Sequence, residues 1–259
     1  MSIESYHRPA RGRILEDYAT CDGSPQVSRY VESKATVDCW AALAMLALSW
    51  PLILTLMALV RLTSRGPALY KQVRLGLDGR PYLILKLRTM FHDCERATGP
   101  QWAKARDPRA TPLGRILRAT HLDELPQLWN VVQGEMSLVG PRPERPEFVR
   151  QLERVIPNYR ERLQVRPGIT GLAQVQLPPD EDLDSVARKV AYDVFYVERI
   201  NLWLNFRILI GTALKMAGIS YGCIRFLAAL PRPEVVLGKV PEEGLNSEMA
   251  LREFVTTAG

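Results

Sequence analysis

Asp123 and Glu124 stand side by side within residues 120–144, which read THLDELPQLWNVVQGEMSLVGPRPE. Two adjacent carboxylates cannot both be buried as bystanders, because a buried charge without a partner costs several kcal/mol. They call for a cation or open water, and a carboxylate can attack phosphorus or hold a hard metal ion. Downstream, Pro141 and Pro143 fix the backbone on both sides of Arg142, which lowers the entropy cost of holding its guanidinium against a phosphate or a carboxylate. A plain surface turn would have the same composition. Lys86, Arg88, Arg115 and Arg118 add further cations upstream, each a candidate partner for a diphosphate or a carboxylate, or a member of a solvated face.

The positioning elements follow from periodicity. Leu125, Leu128, Trp129 and Val132 recur at helical spacing, Pro126 suits a first turn, and Gly134 ends the helix. Asp123 and Glu124 therefore fall at a helix N-terminus, where the dipole and free N–H groups favour the carboxylate form. Asp123 as an ordinary N-cap is the competing reading, and Thr120 is a second candidate cap. Tyr82 to Leu85 reads as a strand leading into Lys86 and Arg88. Phe148, Leu152, Val155, Tyr159 and Leu163 mark an amphipathic helix kinked or ended near Pro157, packed on the core or lying at a membrane surface. Residues 167–171 form a Gly-punctuated loop able to bring its backbone close to a ligand or to make a tight turn.

The order of these motifs resembles the bacterial sugar transferase family, the monotopic phosphoglycosyl transferases that begin exopolysaccharide and glycan assembly. LDELPQLWNVVQGEMSLVGPRPE carries the likeness. Upstream it is joined by Arg65-Gly66-Pro67, Tyr70, Gln72, Arg74 and Gly76, by Lys86-Leu87-Arg88-Thr89-Met90, and by Gly114 to Arg118. Downstream it continues in Pro167-Gly168-Ile169-Thr170-Gly171, Ala173-Gln174, Tyr192-Asp193 and Tyr196, so that it covers residues 34–221. Two departures stand out. Trp50 intervenes between Ser49 and Pro51 where the family has Ser directly before Pro. Gln174-Val175-Gln176-Leu177-Pro178-Pro179 replaces the Asn-Gly-Arg found in many members, which leaves the sugar open.

Residues 37–60 are almost wholly apolar, long enough for a bilayer helix, with Pro51 inside and basic residues on both flanks. A straight span would place one basic flank outside. The resemblance implies instead a re-entrant helical hairpin broken at Pro51, both flanks on the cytoplasmic face. Residues 202–216 are apolar nearly all round and suit the bilayer interface. The expected architecture is mostly α with a small β element, anchored by the re-entrant hairpin, with interfacial helices around a compact catalytic domain. Its divisions are a polar arm at 1–33, the membrane helix at 34–62, the cytoplasmic domain at 63–222 and a tail at 223–259.

Composition narrows the chemistry. The net charge of +6 suits an acidic substrate or an anionic membrane, whereas no nucleic-acid motif accompanies it, so no nucleic-acid partner is expected. Four scattered cysteines suggest neither a disulfide framework nor a zinc site, and a reducing setting follows. No apolar run opens the chain, so no cleaved signal peptide is expected. With no Walker run, no GxGxxG after a strand and no catalytic Ser or Cys setting, carboxylate and metal chemistry remain.

The resemblance then implies transfer of a sugar 1-phosphate, with glucose or galactose first, from a UDP-sugar to undecaprenyl phosphate at the cytoplasmic face of the bacterial inner membrane. Asp123 would attack the sugar-proximal phosphorus and release UMP. Mg²⁺ would screen the charge, held by Glu124 and with it Asp123, while Arg118 and Arg142 stabilise the phosphoryl oxygens. Lys86, Arg88, Pro141 and Pro143 would line the substrate site. Asp193 would position an active-site base or arginine, or simply pair with Lys189 four residues earlier. A non-catalytic membrane scaffold is the alternative, and the oligomeric state stays open up to a homodimer.

Overall fold

A computed structural model describes residues 29–94, 107–179 and 182–237. The arm expected at 1–33 lies outside these residues up to position 28, and so does the tail beyond 237. The described chain is mostly helical with two small sheets. It opens with α1 (Arg29–Thr63), which begins five residues before the expected start at 34 and runs as one helical element through Pro51. Among the described residues it is the one helix long and apolar enough to cross a membrane.

One stripe of α1 is buried at helical spacing: Lys34, Asp38, Ala42, Leu46, Ile53, Leu56 and Val60. Its central residues pack with Tyr82, Ile84, Leu128, Val131 and Met136, and its end packs with Leu87 and Leu117. The opposite face leaves Trp40, Leu48, Trp50 and Leu62 exposed. Burying such side chains is worth roughly 1.5–3 kcal/mol each, so a face this apolar demands a non-aqueous neighbour.

The strand expected around Tyr82 exists. β1 (Leu69–Leu75) and β2 (Pro81–Leu87) form an antiparallel hairpin with Tyr70 opposite Lys86, turning through Asp78-Gly79 with both residues at positive φ. Then follow α2 (Pro112–Ala119), capped by Thr111 through the Gly114 N–H, a 3-10 turn at Leu122–Glu124, and the short α3 (Gln127–Val132). Gly134 ends α3 at φ +75°, its N–H and that of Glu135 bonding back to Val131 and Asn130, a Schellman closure. Thr120 caps nothing ahead of it; its hydroxyl donates back to the Ile116 carbonyl.

β3 (Ser137–Val139) pairs in parallel with β4 (Gly168–Thr170). Between them α4 (Pro146–Val155) stops before Pro157, and a 3-10 turn at Tyr159–Leu163 carries the same apolar stripe inward. Val149, Leu152, Ile156 and Tyr159 join Leu75, Val186 and Val190 in one cluster, so this element packs on the core. The glycine loop approaches protein backbone: a Cβ on Gly168 would lie 2.1 Å from the Gly140 nitrogen. Gly168 N–H donates to the Pro141 carbonyl at 2.9 Å, so the loop holds the Pro-Arg-Pro segment.

α5 (Leu172–Gln176), α6 (Leu183–Arg199) and α7 (Leu202–Met216) complete the packing. α7 buries Leu204 and Ile208 but exposes Leu202, Trp203 and Phe206. The boundary drawn at 222 falls inside α8 (Tyr221–Leu227), and α9 (Pro233–Leu237) follows. Ile224, Leu230 and Val236 are buried with Val175, Tyr192 and Ile208. The core thus extends past 222, because short Pro-punctuated helices bury apolar residues without showing a long periodic pattern.

Candidate active site

The hairpin, the 3-10 turn and the Pro-Arg-Pro segment meet at Glu124. Lys86 at the end of β2 and Arg142 each donate to Glu124 Oε1 at 2.8 Å, leaving its other oxygen free of both. Burial pushes the Glu124 carboxyl up, but Arg142 and Lys86 outweigh this and hold it far below the usual carboxylate range. Glu124 in turn raises the Arg142 guanidinium, while burial draws the Lys86 ammonium down.

Asp123 is 7% exposed, yet its carboxylate accepts no hydrogen bond from the described residues. It caps no helix. Burial and the neighbouring Glu124 push its carboxyl up, against the pull of Lys86, Arg142 and Arg118. The helix after the pair has only six residues and starts at Gln127, so the two carboxylates precede it in the 3-10 turn, and Lys86 and Arg142 supply the positive field in place of a helix dipole. Adjacent carboxyl groups with environments that drive them apart are the pattern of divided roles in catalysis.

Arg118 lies on the last turn of α2 and donates through Nε to Thr89 Oγ1 at 2.8 Å. Its charge reaches Asp123 without a direct bond. Pro141 and Pro143 are buried on either side of Arg142. Arg88 goes elsewhere. Its guanidinium donates to the Arg65 carbonyl and, at 2.8 Å, to the Ser64 carbonyl and hydroxyl, just past the end of α1. β2 ends at Leu87, so the alternation that would place Arg88 beside Lys86 stops one residue short.

Asp193 makes no bond to Asp123 or Glu124 among the described residues. Its carboxylate pairs with Arg162 at 2.7 Å, and Arg162 donates onward to the Tyr159 hydroxyl at 3.0 Å and to the Arg142 carbonyl at 2.7 Å. Lys189 bonds Glu144 Oε1 at 2.8 Å, and Glu144 Oε2 meets Arg74 at 3.4 Å. Arg74 donates again to the Pro143 carbonyl at 3.1 Å. Arg162, Glu144 and Lys189 thus hold the backbone from which Arg142 projects. Sequence reasoning missed Arg162, since Arg160-Glu161-Arg162 has the composition of a solvated face. Its one signal was Tyr159 at core spacing beside it.

The described residues contain no group of three His, Cys, Asp or Glu side chains able to share an ion. A metal here would rest on Asp123 and the free oxygen of Glu124, with substrate and water completing its shell.

The sequence profile for bacterial sugar transferases matches residues 29–218. A UDP-glucose:undecaprenyl-phosphate glucose-1-phosphate transferase of Caulobacter vibrioides is 45% identical over 183 residues, 69% of this chain and 67% of that protein. The exopolysaccharide production protein PSS of Rhizobium leguminosarum bv. phaseoli is 37% identical over 187 residues, 70% of this chain and 94% of its own length. A UDP-N-acetylgalactosamine-undecaprenyl-phosphate N-acetylgalactosaminephosphotransferase of Aeromonas hydrophila is 40% identical over 183 residues, 71% of this chain, and the chain spans only 43% of that larger protein. With the profile spanning most of its length and the acid pair, the basic residues and the glycine loop gathered at one place, this chain belongs to the bacterial sugar transferase family.

Proposed function

We propose that the protein transfers a sugar 1-phosphate, of the hexose class, from a UDP-sugar to undecaprenyl phosphate. The observation that carries this reading is the inequality of the acid pair: Glu124 is bonded by two cations, while the buried Asp123 has no hydrogen-bond partner among the described residues. A buried carboxylate left unbonded beside two cations suits a nucleophile, with Lys86 and Arg142 at hand to receive a phosphate. The relatives' names supply the substrate class, and they differ in the sugar, glucose in one and N-acetylgalactosamine in another.

An Asp123 oxygen attacks the sugar-proximal phosphorus. The bond from that phosphorus to the bridging oxygen breaks, and its electron pair leaves on UMP. A phosphate oxygen of the lipid then attacks the same phosphorus, and the bond to Asp123 breaks to restore the carboxylate. Arg142 and Lys86 stabilise the phosphoryl oxygens as charge builds on them, with Arg118 contributing at longer range. Pro141, Pro143, Arg162 and Asp193 hold Arg142 in place. Mg²⁺ fits the hard oxygens of Asp123 and Glu124 and would supply charge neutralisation on the diphosphate.

We place the protein at the cytoplasmic face of the inner membrane, and the contacts of α1 favour a re-entrant anchor. Near one end of α1, Asp38 accepts from Ser137 and from the Leu138 N–H; just past the other, Ser64 and Arg65 accept from Arg88. Bonds from both ends of α1 to one domain support the reading that both ends stay on one side of the bilayer, with a dip into one leaflet in place of a crossing.

The test is UMP release by detergent-purified protein from a panel of UDP-sugars with undecaprenyl phosphate and Mg²⁺. Release with one sugar, dependent on the lipid for turnover, is expected. Silence across the panel from folded protein would overturn the reading in favour of a scaffold.

A further inference from the structure

Lys215 is a half-buried cation that the mechanism above does not use. It sits in the last turn of α7, and its ammonium donates to the Gln174 carbonyl at 2.6 Å and lies 5.5 Å from the centre of the Tyr221 ring. That carbonyl lacks its usual helical donor, because residue 178 is a proline without an N–H. An ammonium has three donors, and among the described residues Lys215 forms no ion pair with a carboxylate. Burial and then the charge of Arg142 draw it down, against the pull of Glu124. Gln174 lies in α5, which starts just after Gly171, where an added Cβ would lie 2.2 Å from the Gly140 carbonyl, so Lys215 is anchored on an element packed against the Pro-Arg-Pro segment, and no carboxylate among the described residues balances its charge.

The path by which that anion arrives is set by α7. Its inner side is fixed: Thr212 Oγ1 meets Thr170 Oγ1 at 2.7 Å, on the strand whose neighbour leads into Pro141. Its outer side exposes Trp203, Phe206 and Leu209, and Met216 and Ile219 continue the apolar surface past Lys215. Lys215 lies on the inner side of the last turn, at the end of a helix whose other side is apolar and exposed. A donor diphosphate comes from water and has Lys86 and Arg142 to receive it, whereas a phosphate on a hydrocarbon tail comes along the apolar face.

We propose that Lys215 binds the phosphate of the lipid acceptor and aims it at the phosphosugar on Asp123; this rests on the phosphosugar-transfer reading above. The shared chemistry is phosphate recognition, and the two half-reactions separate the sources. Full-length Lys215→Met and Lys215→Arg proteins are compared with native protein in two assays: exchange of labelled UMP into UDP-sugar without lipid, and transfer to undecaprenyl phosphate at varied concentration. In Lys215→Met, exchange keeps at least about half its rate while KM for undecaprenyl phosphate rises about tenfold or more, the scale of a lost charged hydrogen bond. Lys215→Arg restores KM to within about threefold of native, the charge being kept.

Exchange falling in parallel with transfer would assign Lys215 to the donor diphosphate and overturn the proposal. Unchanged values in both assays would reduce it to a cap on Gln174 and also overturn it. Should native protein show no exchange, the covalent reading fails by itself, and direct binding of undecaprenyl phosphate in micelles then decides Lys215: weaker binding to Lys215→Met supports the proposal, equal binding overturns it.

Discussion

Two clusters of charge flank Arg142, and they are completed differently. On the Glu144 side, Glu144 is bonded by Lys189 and Arg74, and Asp193 by Arg162, which also bonds Tyr159 and the Arg142 carbonyl. On the Glu124 side, one carboxylate takes both cations and Asp123 has none to itself. The first cluster is closed and acts on the fold; the second leaves a buried carboxylate, the proposed nucleophile, without a bonded partner among the described residues. A buried ion pair adds little net stability over an apolar replacement, but breaking one is costly. The closed cluster is therefore fragile to single substitutions, whereas Asp123, which no described cation bonds, can be replaced at little cost to folding.

That contrast predicts its own tests. The largest effect is on activity at the open cluster: Asp123→Asn should lower turnover by roughly 10³-fold or more, the scale for lost nucleophiles, in the UMP-release assay. The next is on stability at the closed cluster. Arg162→Met leaves Asp193 buried and uncompensated, with an expected loss of about 3–5 kcal/mol, read as a lowered unfolding midpoint of the detergent-solubilised protein. An Arg162→Met protein that melts with native would break the comparison.

How far the sequence revealed this arrangement differs between the clusters too. Asp123, Glu124 and Arg142 were legible because each is chemically odd in its setting, an adjacent acid pair and a guanidinium between two prolines. Lys86 was legible from the strand before it. Where Arg88 goes was not legible, because β2 ends at Leu87 and the guanidinium turns to the Ser64 and Arg65 carbonyls. Arg162 and Glu144 were illegible: charged residues among charged neighbours look solvated until the chain folds Tyr159 and Val149 inward beside them. The hairpin and the long apolar helix follow from local pattern, whereas the packing of residues 224–236 depends on partners in other elements, from Ile208 back to Val139.

A smaller effect separates the clusters by pH. Burial pushes the Glu144 carboxyl up, but Lys189 and Arg74 outweigh it and hold it at about 2, against an ordinary 4.5. Its folded value lies below its unfolded one, so its stabilisation is complete above about pH 4.5 and is lost as pH falls toward about 2, on the order of 3 kcal/mol in all. Glu144→Gln should flatten the acid limb of stability in that window, as followed by denaturation at stepped pH. Asp123 has the opposite sign. Its folded pKa is raised, so its charged form costs stability above that value, and the cost fades as pH drops from there toward the ordinary 3.8. Asp123→Asn should leave the melting midpoint near neutral pH unchanged or raise it slightly, the smallest effect of the set; a clear fall would place Asp123 among the structural carboxylates.

The most direct measurement is a single-turnover experiment with labelled UDP-sugar and no lipid acceptor. The account predicts a burst of UMP close to one per enzyme and label retained on the protein at Asp123, both absent in Asp123→Asn and both discharged on adding undecaprenyl phosphate. UMP that appears only after the lipid is added, with no label on the protein, would contradict it.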